Sequence, residues 1–156
     1  MIIEKITKPE QKIVSFTQKG LVVTELPTII GPTFMKLGKY ISEQGANILS
    51  NPFVSFKNMD DDGKIDESQM EMEIGFPVDQ LLPEKDGIVS YVLPSYKALS
   101  VHYVGKYDDM VPIYDALLNQ IKENGDNFMH YCYEYYLSDE EIDESKQETI
   151  IELPYY

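Results

Sequence analysis

The chain has 156 residues, 43% of them hydrophobic, which is enough to build one domain or two small halves around a shared core. Its 27 acidic and 13 basic side chains give a formal charge of −14. That charge argues against a nucleic-acid backbone as partner, because phosphate recognition needs clustered Lys and Arg, and it favours cations or a basic protein surface.

In chain order, Lys12 to Thr17 reads as a strand that Lys19 and Gly20 end. From Leu26 the pattern turns helical: Pro27 sits near the start, Phe34, Leu37, Tyr40 and Ile41 fall at spacings of three and four, and Gly45 is the stop. Pro52 to Asn58 is a short strand, Met59 to Gln69 a polar turn, and Met70 to Val78 a strand alternating apolar with acidic residues. Asp79 to Tyr96, with Pro83, Asp86, Gly87 and Pro94, reads as a connector. The order then recurs. Ala98 to Gly105 is a strand, and Asp109 to Gly125 a helix with Val111, Tyr114, Leu117, Leu118 and Ile121 as its apolar stripe and Pro112 in its first turn. Asn127 to Leu137 is an aromatic strand, Ser138 to Gln147 a polar turn, and Glu148 onward closes the chain.

Residue matches support a duplication. Asp66-Glu67-Ser68 recurs as Asp143-Glu144-Ser145 and Pro77 as Pro154, all at an offset of 77 positions. The expectation is an α+β fold within a single domain, 1–156, made of two pseudo-twofold-related strand-helix-strand-strand repeats at about 12–78 and 97–156, joined by the connector at 79–96. Each half should carry its helix on the outer face, with the inner faces meeting around a ligand groove.

The stretch Asn127 to Leu137 holds five aromatic residues, Cys132, His130 and a single acid, Glu134. As one strand it would point Phe128, His130, Cys132, Glu134 and Tyr136 one way and Met129, Tyr131, Tyr133, Tyr135 and Leu137 the other. A carboxylate amid so much aromatic surface must find a partner in the protein or in a ligand, because desolvating a charge is costly. In the first repeat the matching position is Ser55, so the acid belongs to one half only. Cys132 is expected to be structural. Asp60 to Glu67 misses the calcium-loop register, and two histidines with one cysteine make no zinc set, so no metal and no cofactor are expected.

Gly105-Lys106-Tyr107, leading from a strand into a helix, together with Tyr133-Glu134-Tyr135-Tyr136-Leu137 followed by Ser138-Asp139, resembles the GyrI-like small-molecule-binding family, the effector-binding domain of AraC-type and MerR-type multidrug regulators. The resemblance runs from Lys12 to Pro154. It implies a groove between the halves that takes lipophilic, often cationic or planar small molecules, with Glu134 at its base and Tyr136, Tyr103 and Tyr107 beside it. Phe56 and Phe16 are added as candidate aromatic lining. Only a short tail precedes the first strand, so no direct DNA binding is expected. Some relatives open the cyclopropane of alkylating natural products by adding water; a hydrolase of that kind would use Glu134 and Tyr136 as catalytic residues, with Tyr103 as a further candidate for assisting the leaving oxygen. A third reading is a protein partner such as gyrase, met by the acidic turns Asp60 to Asp62 and Asp139 to Glu141. No run approaches the roughly 20 apolar residues of a membrane span, no secretory signal opens the chain, and one cysteine forbids an internal disulfide, so a cytoplasmic setting without membrane contact is expected.

Overall fold

The computed structural model describes residues 1–138 and 142–156. The chain runs β1 (Glu4–Lys8), β2 (Gln11–Leu21), α1 (Leu26–Glu43), β3 (Phe53–Phe56), β4 (Met70–Val78), β5 (Ile88–Leu93), β6 (Tyr96–Val104), α2 (Val111–Glu123), β7 (Tyr133–Tyr136) and β8 (Glu148–Tyr155). All eight strands join one antiparallel sheet in the order β1-β6-β8-β7-β3-β4-β2-β5. The α+β fold of two pseudo-twofold repeats is therefore present, but the halves do not meet face to face. They meet edge to edge where β3 pairs with β7, so both repeats share a continuous sheet.

The duplication extends to backbone hydrogen bonds. Leu49 N–H donates to the Pro77 carbonyl and Met129 N–H to that of Pro154. Asp79 N–H donates to the Asn47 carbonyl and Tyr156 N–H to that of Asn127. Each helix ends at a glycine of positive φ, Gly45 at 71° and Gly125 at 75°, and the next N–H reaches back to the last turn, Ala46 to Ile41 and Asp126 to Ile121. Only a residue that tolerates the left-handed region closes a helix this way at little cost. The Asp66 and Asp143 side chains each accept from a serine N–H two residues on, at 3.0 Å, building the same turn twice.

The expected connector, 79–96, contains β5, and the N-terminal tail contains β1. These edge strands are exchanged: β1 of the first repeat pairs with β6 of the second, and β5, which opens the second, pairs with β2 of the first. The aromatic strand is shorter than its composition suggests, because His130 adopts a φ of 64° and regular pairing begins at Tyr133. The alternation predicted for Phe128 and His130 therefore does not continue into β7.

Both helices lie on one face of the sheet. The buried α1 residues Leu37, Tyr40 and Ile41 pack with Val14, Val54, Met72 and Ile74, while Leu117, Leu118 and Ile121 of α2 pack with Leu99, Val101, Ile151 and Leu153. On the opposite face Ile13, Phe53, Tyr133 and Tyr135 form a separate cluster with no helix over it among the described residues.

Candidate functional site

Strand register defines the site. Glu134 lies opposite Val54 across the β7/β3 junction and opposite Ile151 on β8, and the row extends through Val101 on β6 and Ile74 and Phe16 on β4 and β2. Residues directly opposite on antiparallel strands share a face, so this row crosses the helix side of the sheet. Glu134 is its only charged member. β3 and β7 have matching extents, Phe53–Phe56 and Tyr133–Tyr136, and the pair Val54–Glu134 maps onto itself when the repeats are exchanged. The counterpart of Glu134 is thus Val54, not Ser55, which faces the other way and pairs with Glu73.

Glu134 is 7% exposed. Tyr114, from the first turns of α2, donates to its Oε2 in a short hydrogen bond, and Tyr136 donates to its Oε1 at 2.8 Å. The Tyr114 hydroxyl also stands 3.4 Å from the Cys132 sulfur. No Lys, Arg or His pairs with Glu134 among the described residues. Burial pushes its carboxyl above the ordinary range, against the lowering effect of the two tyrosine bonds. Burial and the neighbouring carboxylate push both tyrosines well up, so they remain neutral donors. Chemically the arrangement is a buried acid, held by hydroxyls, in an apolar setting.

Rings surround it unevenly. Tyr136 packs edge-on against Tyr107 at 5.5 Å between centroids and against Phe34 of α1 at 6.3 Å, and Phe34 meets Phe76 at 5.7 Å. Tyr107 is 43% exposed and lines a cavity of about 220 Å³ with Lys106, Asp108, Glu144 and Gln147. The α1 half of the site is apolar, with Val54, Phe34 and Phe76, and the α2 half carries every polar group that touches the carboxylate.

Of the residues expected from sequence, the fold brings Glu134, Tyr136 and Tyr107 together. Phe56 shares their face and packs between the two helix clusters. Tyr103 lies on β6, two strands from β7, and its hydroxyl closes the turn at Gly105 by donating to the Lys106 carbonyl at 2.7 Å. Phe16 is three strands away, under the Lys36 ammonium at 4.5 Å. Tyr114 escaped functional notice because it fits the apolar stripe of α2, and Phe34 because it fits that of α1. Cys132 is buried, and its thiol is pushed up to about 12 by burial and by Glu134. Asp60 accepts from the N–H groups of Asp62 and Lys64, both at 2.9 Å, an ordinary turn, while Asp139 to Glu141 lie outside the described residues.

The chain belongs to the GyrI-like family: the family model for the GyrI-like small molecule binding domain matches residues 1–155. Among solved structures, the C-terminal domain of EcmrR superposes with a TM-score of 0.83 at 19% identity, covering 99% of this chain and 97% of that one. A hydrolase from Listeria innocua gives 0.69 at 14%, covering 99% and 91%. SAV2435 bound to tetraphenylphosphonium gives 0.63 at 14%, covering 100% and 94%. At such identities these likenesses establish the fold. No match is found among curated proteins. No helix among the described residues is long and apolar enough to cross a membrane.

Proposed function

We propose that this GyrI-like domain binds lipophilic monocations on the helix face of the sheet, with Glu134 as the charge-recognising group and Tyr136, Tyr107 and Phe34 as the aromatic walls. The observation that carries the reading is a carboxylate 7% exposed, held only by tyrosine hydroxyls and lacking a cationic partner among the described residues. A ligand cation would supply the missing charge, and ring faces attract cations through their quadrupole. The apolar α1 half suits the body of such a ligand. A similar fold holding a phosphonium cation supports the choice of probe. The test is titration with tetraphenylphosphonium and with neutral triphenylphosphine oxide. Selective binding of the cation, lost in Glu134→Gln, is expected. Equal affinity in the variant would leave Glu134 a structural acid satisfied by its tyrosines.

A second reading has one observation in its favour. A carboxyl held above its ordinary range beside two neutral tyrosine donors is suited to proton transfer. In a hydrolase of cyclopropane-bearing alkylators, Glu134 would take a proton from water, the water oxygen would bond to a ring carbon, and the ring C–C bond would break with its electrons moving into the conjugated acceptor, which would take a proton from Tyr136 as Tyr136 regains one from Glu134. Mass spectrometry decides it: product heavier by one water supports turnover, and recovery of unchanged substrate leaves binding alone.

A further inference from the structure

The helix-free face of the sheet gathers a second set of buried polar groups. Glu73 on β4 is 5% exposed and Glu152 on β8 is 2% exposed. Each holds a tyrosine hydroxyl and a lysine. Glu73 accepts from Tyr91 in a short bond and pairs with Lys57 at 3.1 Å; Glu152 accepts from Tyr96 at 2.6 Å and pairs with Lys8 at 3.1 Å. The ammonium groups also stand over rings, Lys8 at 4.6 Å from the centroid of Tyr135 and Lys57 at 4.9 Å from Tyr131. A carboxylate, a phenol and a ring face around one nitrogen is the chemistry that recognises an alkylammonium. β3 and β7 separate the two seats, which puts their strands about 14 Å apart by the usual inter-strand spacing. The floor between them is Phe53, Tyr133 and Tyr135.

As scaffolding the arrangement is expensive, since buried ion pairs return little over apolar packing of the same volume. A hydroxyl left over on the same face adds to the cost. The buried side-chain oxygens of Ser15, Ser55 and Tyr135 make no well-directed hydrogen bond among the described residues, although Ser15 and Tyr135 come near Tyr91 and Tyr96. Ser55 lies directly opposite Glu73. Buried polar groups of native proteins are normally paired, so the spare Ser55 hydroxyl beside the Glu73 carboxylate points to a polar occupant. The Lys8 and Lys57 side chains are each 24% exposed and reach in from the rim, so they can swing out to water while the carboxylates stay.

We infer that this face is a second ligand site, one that takes linear polyamines: terminal ammonium groups replace Lys8 and Lys57 on Glu152 and Glu73, and the alkyl chain crosses Tyr133 and Tyr135. The inference is independent of Glu134, which lies on the other side of the sheet. Calorimetry of the full chain with spermine, at an ionic strength that screens the acidic surface, is the test. One-to-one binding is expected, at least tenfold tighter in Lys8→Met/Lys57→Met and at least tenfold weaker in Glu73→Gln/Glu152→Gln. Butane-1,4-diamine, too short to bridge the seats, should bind at least tenfold more weakly than spermine. Glu134→Gln should leave spermine affinity unchanged. Should the carboxamide double variant fail to fold, lysine side-chain NMR of the unaltered protein replaces it, with selective shifts of Lys8 and Lys57 on adding spermine as the supporting result. Uniform small shifts of all lysines, or spermine affinity indifferent to the lysine substitutions, would reduce the effect to counterion binding by a chain of charge −14 and overturn the proposal.

Discussion

Replacing Glu134 by Gln tests the central site because it keeps shape and removes charge. In the native protein the carboxylate receives two charge-assisted hydrogen bonds, each returning about 1.5–3 kcal/mol. Against them stands a desolvation penalty of several kcal/mol for a group this deeply buried. The terms nearly cancel, so the variant should be as stable as the native protein or about 1 kcal/mol more stable near neutral pH. The pH dependence gives the sign. The folded-state carboxyl is raised above its ordinary value by burial. Its contribution is therefore fully favourable below the unfolded-state value, and stability is lost as pH rises through the folded-state value. Melting temperatures of the two proteins should coincide in acid, apart from the shared titration of other carboxyls, and diverge in favour of Gln as pH rises. Affinity for tetraphenylphosphonium should fall about tenfold to a hundredfold, the equivalent of roughly 1.4–3 kcal/mol. A variant less stable at neutral pH, with phosphonium affinity unchanged, would refute the reasoning.

Val54→Lys places an ammonium directly opposite Glu134, where it should pair internally and suppress phosphonium binding at least tenfold while preserving the fold; retained affinity by calorimetry would show that the ligand does not use this carboxylate. Gly75→Ala would bring a methyl to 2.8 Å from the Phe53 ring and 2.8 Å from the Val14 carbonyl oxygen, so urea unfolding should report a loss of about 1–3 kcal/mol, as for other overpacked sites. The Cys132 thiol, buried and pushed up to about 12, should resist thiol reagents at neutral pH in the folded protein and react on unfolding; rapid native-state labelling would contradict its burial.

Much of this architecture is legible in the sequence because its signals are local. Helical spacing, the glycine stops and the paired Asp-Glu-Ser turns sit where their own residues dictate, and the 77-residue offset between Pro77 and Pro154 carries directly into the register of β4 and β8. What was not legible depends on pairing. β5 and β1 gain their strand character from partners in the opposite repeat, which no local pattern encodes. A one-residue error in the turn between β3 and β4 is enough to match Glu134 to Ser55 instead of Val54, and a one-residue slip turns a strand residue to the other face. The site was half visible for the same reason. Glu134 stood out as an acid among rings, whereas Tyr114 looked like core until the fold aimed its hydroxyl at that acid.

The position of Glu134 on the pseudo-twofold junction explains why only one half carries the acid. A residue on such an axis meets its own counterpart, and opposite side chains on paired antiparallel strands stand about 5 Å apart at Cβ. Two glutamates there would repel each other in an apolar setting, and one would be forced to hold its proton. Val54 removes that conflict. It also leaves the α1 half free of charge, so the carboxylate and its tyrosines face a wall of Val54, Phe34 and Phe76 instead of a mirror of themselves. Duplication supplies a symmetric frame, and on the proposed function the loss of symmetry at its self-paired position would let the site read a single charge attached to an apolar body.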